Sequence, residues 1–156
     1  MIMDFVTFEI ALKLKEKGFM ERCLAYYDVD DNVGLLYNTQ YTDEILPCQY
    51  EDLLQCHNTE EAETQSDDSG TCVDAPTISQ VMKWLRKEKN FHLMVYILND
   101  SSEDADGRII QEWFFWSFGV QNCNSGDYAY EGDDVEYESY EEAALAGIEY
   151  VLYNLI

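Results

Sequence analysis

The chain has 156 residues, 47% of them hydrophobic and 14% aromatic, and a formal net charge of −23. This length predicts a single domain, 1–156, and the aromatic content excludes the acidic disordered proteins. No apolar run approaches the roughly 20 residues that cross a bilayer, and Met1 to Thr7 has no basic signal-peptide region. We therefore expect a folded acidic protein that stays in the cytoplasm and does not contact a membrane.

The first predicted element is a helix that contains Phe8 to Leu14. Asp4 or Thr7 is its expected N-cap, and lysines precede Gly18 at its end. Cations suit the last turn because they face the carbonyl end of the helix, and glycine suits the left-handed residue that follows. The helix is therefore expected to stop at Gly18.

A hairpin and a long acidic loop are predicted next. Two β-rich runs, Cys23 to Tyr27 and Val33 to Tyr37, flank a turn rich in Asp and Asn, and Tyr50 to His57 suits a short helix. From about 58 to 74 the chain is acidic and polar, with no basic or aromatic residue. Because little apolar surface is available to offset the entropy of ordering, we expect a mobile acidic loop there.

The second half indicates a helix, a strand pair and a final helix. Thr77 to Gln80 matches a capping box, and apolar residues recur at helical spacing from Ile78 to Leu85. The apolar runs Phe91 to Leu98 and Trp113 to Val120 predict a hairpin, and Ser139 to Glu142 is a second capping box. The order α-β-β-(α)-α-β-β-α predicts an α+β fold with antiparallel strand pairs and helices packed on the sheet.

Two similar stretches each close a helix and lead into a strand pair. They are Lys15-Glu16-Lys17-Gly18-Phe19 and Lys87-Glu88-Lys89-Asn90-Phe91. A duplicated helix-strand-strand unit would account for them, and so would the shared chemistry by which helices stop. The sequence is compatible with both origins.

A resemblance to known proteins is carried by three stretches, Lys15 to Phe19, Ala75 to Arg86 and Ser139 to Ile148. Together they resemble a family of small uncharacterised acidic proteins of gut anaerobes and their phages. The likeness spans most of the chain outside the acidic loops, and the Pro-Thr to Trp-Leu-Arg part is its most distinctive section. The family has no established activity, so the resemblance implies a mobile-element origin and no catalytic residue.

Motifs for catalysis and for metal or cofactor binding are incomplete. Ser102 to Ile109 is similar to an EF-hand loop, but Trp113 stands where a bidentate Glu is needed. Neither His57 nor His92 belongs to a complete set of nucleophile, base and orienting group. The five cysteines form no CxxC pair, and no glycine-rich phosphate loop is present. We predict that the protein is not an enzyme and has no metal or other cofactor.

The charge is distributed unevenly along the chain. All nine basic residues lie in Lys13 to Arg22 and Lys83 to Arg108, and the ten acidic residues after Arg108 have no basic neighbour in sequence. Such a field repels nucleic acid and anionic lipid, and it attracts basic clefts. The expected partner is therefore a basic nucleic-acid-binding host protein, with no direct binding to nucleic acid.

The density of charge is similar to that of DNA. Duplex DNA carries one charge per roughly 1.7 Å, so 23 net charges correspond to about 40 Å of duplex. From 127 to 138 carboxylates alternate with aromatic residues, which suits arginine and lysine partners. We therefore predict an acidic DNA-mimic inhibitor of a host restriction or CRISPR enzyme. The candidate partner-binding residues are Asp127, Glu131, Asp133, Asp134, Glu136, Tyr137 and Glu138.

The sequence is also compatible with three alternatives. An assembly protein would associate through an exposed aromatic strand face formed by Phe114, Trp116 and Phe118, for example as a homodimer. An antitoxin-like module would cap a basic toxin. In the third alternative the acidic residues only keep an aromatic-rich protein soluble.

Overall fold

The computed structural model describes residues 4–28, 34–37, 72–132 and 135–156. This part of the chain contains three helices and two three-stranded antiparallel sheets, which confirms the predicted α+β class. The order of elements is α-β-β-β-α-β-β-β-α, so each sheet has one strand more than the sequence predicted. The chain divides into two compact units, Met1–Gln80 and Val81–Ile156. The short helix predicted at Tyr50 to His57 lies outside the described residues.

The first unit combines one helix with a sheet in the strand order β2-β1-β3. Helix α1 contacts β3, and Tyr27 Oη of β1 donates a hydrogen bond to the carbonyl oxygen of Val6 at 2.6 Å. The predicted hairpin is confirmed, because β1 pairs antiparallel with β2. The bounds are α1 Phe8–Glu16, β1 Ala25–Asp28, β2 Gly34–Tyr37 and β3 Cys72–Ala75.

Helix α1 begins and ends where its sequence predicts. Thr7 Oγ1 accepts a hydrogen bond from the backbone N–H of Ile10, so Thr7 and not Asp4 is the N-cap. The residue after the C-cap Lys17 is Gly18, whose φ of 82° lies in the left-handed region that favours glycine. An exposed ion pair joins Lys13 Nζ to Glu16 Oε2 at 2.6 Å.

Strand β3 corrects the prediction of a mobile loop over 58–74. Its residues Cys72 to Asp74 pair with β1, and both Val73 and Asp74 are fully buried. The acidic composition of the longer stretch concealed a four-residue strand, because pairing with an existing strand supplies hydrogen bonds that composition does not reveal. The rest of the predicted loop lies outside the described residues.

Helix α2, Ile78–Glu88, has the capping box that its sequence predicts. The backbone N–H of Gln80 donates to Thr77 Oγ1 at 3.3 Å, and the backbone N–H of Thr77 donates to Gln80 Oε1 at 3.0 Å. Trp84 lies on the buried face of the helix. The helix stops before Asn90, whose φ of 61° is left-handed like that of Gly18.

The second unit is built around a long hairpin with the strand order β4-β5-β6. The predicted pairing of its first two strands is confirmed, and both strands extend beyond the predicted runs. At the tip, Asp104 Oδ1 accepts hydrogen bonds from the backbone N–H groups of Asp106 and Arg108, as polar turns commonly do. The bounds are β4 Phe91–Glu103, β5 Ile109–Asn122, β6 Tyr128–Glu131 and α3 Tyr140–Asn154.

Helix α3 packs against β4 and β5. The side chain of its N-cap Ser139 accepts a hydrogen bond from the backbone N–H of Glu142, as predicted. The Glu142 carboxylate accepts a hydrogen bond from the backbone N–H of Glu138, whereas a complete capping box would have the backbone N–H of Ser139 as the donor. Gly147 faces the sheet so closely that an added Cβ would collide with Leu93 and lie 3.0 Å from the ring of Phe118. The buried residues of α3 are Ala143, Ala144, Gly147, Ile148, Val151 and Leu152.

Candidate protein-binding surface

The predicted partner-binding residues flank strand β6. Asp127 precedes the strand and Glu131 ends it, whereas Glu136, Tyr137 and Glu138 lie between β6 and α3. The four carboxylates are exposed and Tyr137 is half-buried. Asp133 and Asp134 lie outside the described residues.

Tyr137, which lies between the exposed Glu136 and Glu138, is attached to the sheet. It forms an isolated antiparallel bridge with Trp116 of β5, in which the two residues exchange backbone hydrogen bonds of 2.9 and 3.0 Å. Upstream, the backbone N–H of Gly132 donates to the carbonyl oxygen of Phe118 at 3.1 Å, and the buried Ser117 hydroxyl donates to the carbonyl oxygen of Gly132. Gly132 and Tyr137 are therefore each held to β5 by hydrogen bonds.

Seven carboxylates after Arg108 are exposed in the described residues. In the described residues after Arg108, no ion pair joins any of them to a lysine or arginine. The negative charge of these side chains is therefore not neutralised by an ion pair within this part of the chain. The exposed set is Glu112, Asp127, Glu131, Glu136, Glu138, Glu142 and Glu149.

The alternating acidic and aromatic pattern does not form one mixed surface. Tyr130 pairs with Val120 and Glu131 pairs with Gly119. Residues directly opposite in an antiparallel ladder share a face, and neighbours along a strand point to opposite faces. Tyr130 therefore faces α3, whereas Glu131 projects from the other side of the sheet.

An open groove of about 420 Å³ lies between this face of the sheet and α3, and we call it the tyrosine groove. The sheet side contributes Phe118, Tyr130 and Tyr137, of which only Tyr137 was among the predicted site residues. The helix side contributes five residues at spacing i, i+3, i+4, i+7 and i+8, which places them on one side of α3. These five are Ala146, Glu149, Tyr150, Tyr153 and Asn154.

Aromatic contacts hold the inner wall of the groove together. The Phe118 and Tyr130 rings stack with centroids 4.8 Å apart, and the Tyr130 and Tyr150 centroids are 4.4 Å apart. The Tyr137 ring lies 5.9 Å from Phe118. These separations are typical of favourable aromatic pairs, so the tyrosine rings support one another around a buried phenylalanine.

The electrostatic environment of the groove is negative. Burial raises the pKa of the Tyr137 phenol above its ordinary value, and Tyr130, Glu142 and Glu149 raise that pKa further. Carboxylates act in this direction because a phenolate would be repelled by their charge. Glu142 and Glu149 of α3 therefore act on the same phenol.

Sequence reasoning missed the helix side of the groove. Tyr150 and Tyr153 follow Ala146 and Glu149 at helical spacing, and this second stripe on α3 was the signal that could have found them. A stripe of this kind is usually interpreted as core. It cannot be assigned to a groove without knowing which strand lies opposite.

The prediction that Phe114, Trp116 and Phe118 form an exposed aromatic face is wrong for Phe118. Phe118 is only 2% exposed because α3 covers it, whereas Phe114 on the same face is 67% exposed. Trp116 is half-buried and contacts Tyr140 edge-on, with ring centroids 5.6 Å apart. The exposed apolar surface is therefore displaced toward the tip of the hairpin.

The remaining residues with chemical potential are scattered. Among the residues that the structure describes, no group of three or more His, Cys, Asp or Glu side chains is placed to hold a metal ion, and no helix is long and apolar enough to cross a membrane. The described cysteines are unbridged, with Cys23 buried, Cys72 half-buried and Cys123 exposed. His92 is half-buried on β4, and Cys56 and His57 lie outside the described residues.

Comparison with known proteins gives no assignment. No protein-family model matches the chain, and no curated protein or solved structure matches it. Function is therefore inferred from the residues of this chain.

Proposed function

We propose that this protein acts by binding another protein, as an acidic DNA-mimic inhibitor of a host nucleic-acid-binding defence enzyme of the restriction or CRISPR type. The observation that carries the proposal is the uncompensated negative charge of the chain after Arg108. After Arg108 the sequence contains ten acidic residues and no basic one, and seven of these acidic residues are exposed in the described residues. A surface of this kind attracts the basic cleft of a nucleic-acid enzyme.

The positions of the carboxylates support binding through a surface and not through a single contact. Glu131 projects from one face of the second sheet, and Glu142 and Glu149 lie on the helix that covers the other face. Charges spread in this way meet a basic groove along its length, as phosphates do along a duplex. Individual exposed pairs contribute little to affinity, so binding depends on many weak contacts and is sensitive to salt.

The class of partner follows from the resemblance to proteins of gut anaerobes and their phages. Proteins of phages and mobile elements act in the host cytoplasm, where defence enzymes with basic nucleic-acid clefts are the natural targets of an acidic protein. The phage resemblance is itself a prediction, and it supports the choice of a defence enzyme over other basic proteins.

Affinity capture from host lysate tests the proposed function. The immobilised full chain is expected to retain a nucleic-acid-binding enzyme that elutes as salt rises above physiological levels. The reason is that the electrostatic screening length falls to about 3 Å at 1 M salt, which weakens attraction between exposed charges. Double-stranded DNA should displace this enzyme by competing for the same cleft. Recovery of no nucleic-acid-binding protein, or binding that DNA does not disturb, would contradict the proposal.

A matched pair of variants separates binding from solubility. The triple change Glu131→Gln, Glu136→Gln and Glu138→Gln should weaken capture about ten-fold, since each exposed charge contributes roughly 0.2–1 kcal/mol. The control removes three exposed charges from β4 and the hairpin tip, by Asp100→Asn, Glu103→Gln and Asp106→Asn. Equal weakening by both triple variants would mean that the segment around β6 has no special role.

A second candidate, assembly with a second copy of this chain, is favoured by the apolar hairpin tip. Ile97, Ile110 and Phe114 are 55%, 67% and 67% exposed. An assembly protein would form oligomers whose mass, measured by light scattering, does not change with salt, and Phe114→Ser would dissociate them. If the protein were an antitoxin-like module, the same capture experiment would instead recover a small basic toxin.

A further inference from the structure

The tyrosine groove differs from the surrounding acidic surface because it combines aromatic faces with one carboxylate. Tyr130, Tyr137, Tyr150 and Tyr153 surround an open volume of about 420 Å³, and Glu149 stands on the helix wall. Pockets that hold small groups commonly occupy about 300–1,000 Å³ and have few polar groups among apolar ones. The groove therefore has the size and the lining of a binding site for one large side chain.

The chemistry of the lining favours a cation. The face of an aromatic ring is the negative end of its quadrupole and attracts an ammonium or guanidinium group. No lining residue is basic, so the Glu149 carboxylate has no positive partner within the groove. Anionic ligands are disfavoured by the same carboxylate, which excludes phosphate groups as natural occupants.

Among biological cations, the guanidinium group fits best. It is planar, stacks on aromatic faces, and forms paired hydrogen bonds with a carboxylate. An ammonium group is a strongly hydrated point charge and gains less from a stacked tyrosine wall. Phe118, Tyr130 and Tyr150 pack on one another with centroids 4.8 Å and 4.4 Å apart, so a guanidinium would stack on the tyrosine faces that these contacts leave toward the open volume.

The geometry points to the tyrosine groove as a binding site for an arginine side chain of the partner protein, with the guanidinium stacked on the tyrosines and bound by Glu149. This inference rests on the proposed function only for the identity of the protein that carries the arginine. The raised pKa of Tyr137, caused by burial and then by Tyr130, Glu142 and Glu149, agrees with a site that attracts positive charge. Bound arginine would lower that pKa, since a nearby cation favours the phenolate.

A tripeptide titration followed by NMR tests the site without any partner enzyme. The probe is acetyl-Gly-Arg-Gly-amide, with the citrulline and lysine tripeptides as comparisons, added to the full chain with labelled aromatic residues. We expect chemical-shift changes centred on Tyr130, Tyr137 and Tyr150. Citrulline has the shape of arginine without its charge and should not bind, and lysine should bind several-fold more weakly.

Two charge-neutral variants make the test specific. Glu149→Gln should weaken arginine binding about two- to five-fold, the range expected for an exposed charge pair. Glu112→Gln removes an equally exposed charge outside the groove and should leave binding unchanged. Glu149 is exposed, so its substitution preserves the fold, which thermal unfolding of the variant verifies.

Several outcomes would overturn the inference. Equal weakening by Glu149→Gln and Glu112→Gln would show that the overall negative charge of the protein attracts arginine, without a specific site. Equal binding of the lysine tripeptide would show that the groove does not prefer a guanidinium group. Shifts caused by citrulline would indicate a site for neutral groups. The capture experiment is independent of these results, since the groove can bind the tripeptide when no nucleic-acid enzyme is recovered, and the reverse also holds.

Discussion

The two ends of the β4–β5 hairpin both carry apolar residues on the face toward α3, but these residues have opposite environments. At the end near α3, Leu93 and Phe118 are each 2% exposed, whereas Ile97 and Phe114 on the same face are 55% and 67% exposed. Helix α3 has 15 residues and is about 22 Å long, whereas the 14 residues of β5 extend about 46 Å. One helix therefore covers only part of the face, so an apolar strand pattern does not by itself establish burial.

The largest expected difference between the two ends comes from removing a phenyl ring at each. Phe118→Ala should lower the free energy of unfolding by about 3–5 kcal/mol, since it leaves a cavity among Tyr130, Tyr137 and Tyr150. Phe114→Ala should change it by less than about 0.5 kcal/mol, because the ring is already in solvent. Urea unfolding of both variants measures the contrast. Similar losses would show that the far end is also covered.

A smaller difference is expected from adding one methyl group to a glycine. Gly147→Ala places a Cβ against Leu93 and Phe118, so overpacking should cost about 1–3 kcal/mol, partly offset by the better helix propensity of alanine. The control is Gly119→Ala in β5, where the nearest atom to the added Cβ is 3.4 Å away on the Tyr96 ring. Thermal unfolding should separate the two variants. Equal stability would mean that α3 moves away from the sheet without cost.

The smallest expected effect concerns the Tyr137 phenol and pH. Burial raises its folded-state pKa above the unfolded value, so the neutral phenol contributes stability that is present below about pH 10. That contribution is lost as pH rises from about 10 through the folded-state pKa. Tyr137→Phe removes this group, and its unfolding free energy should therefore decrease less steeply above pH 10 than that of the unchanged chain. Parallel curves for the two proteins would contradict the assignment.

Local signals predicted the helices well because their ends are determined by neighbours in sequence. Thr7, Thr77 and Ser139 each accept the hydrogen bond that a capping residue should accept. The short strands β3 and β6 were not predicted, since four residues acquire their structure from the strand beside them. The tyrosine groove was also missed, because its walls come from elements that only the fold brings together.

The two similar Lys-Glu-Lys stretches lead to similar helix ends but to different sheets. Both are followed by a left-handed residue, Gly18 with φ 82° and Asn90 with φ 61°. The sheets that follow differ, since β1 is the central strand of the first and β5 is the central strand of the second. In both halves a helix is followed by an antiparallel strand pair, but the third strand joins the first strand of one pair and the second strand of the other, so the two sheets do not repeat one topology.

The backbone attachment of Tyr137 to β5 bears on the entropy cost of the proposed partner binding. Glu136 and Glu138 are sequence neighbours of a residue whose backbone is already paired with Trp116. Ordering the backbone of a free residue costs about 1–2 kcal/mol, and the backbone pairing of Tyr137 removes much of this freedom beside Glu136 and Glu138. In the proposed complex the backbone beside Glu136 and Glu138 would be preorganised, so affinity would depend on complementarity of charge and shape more than on the entropy of ordering this backbone.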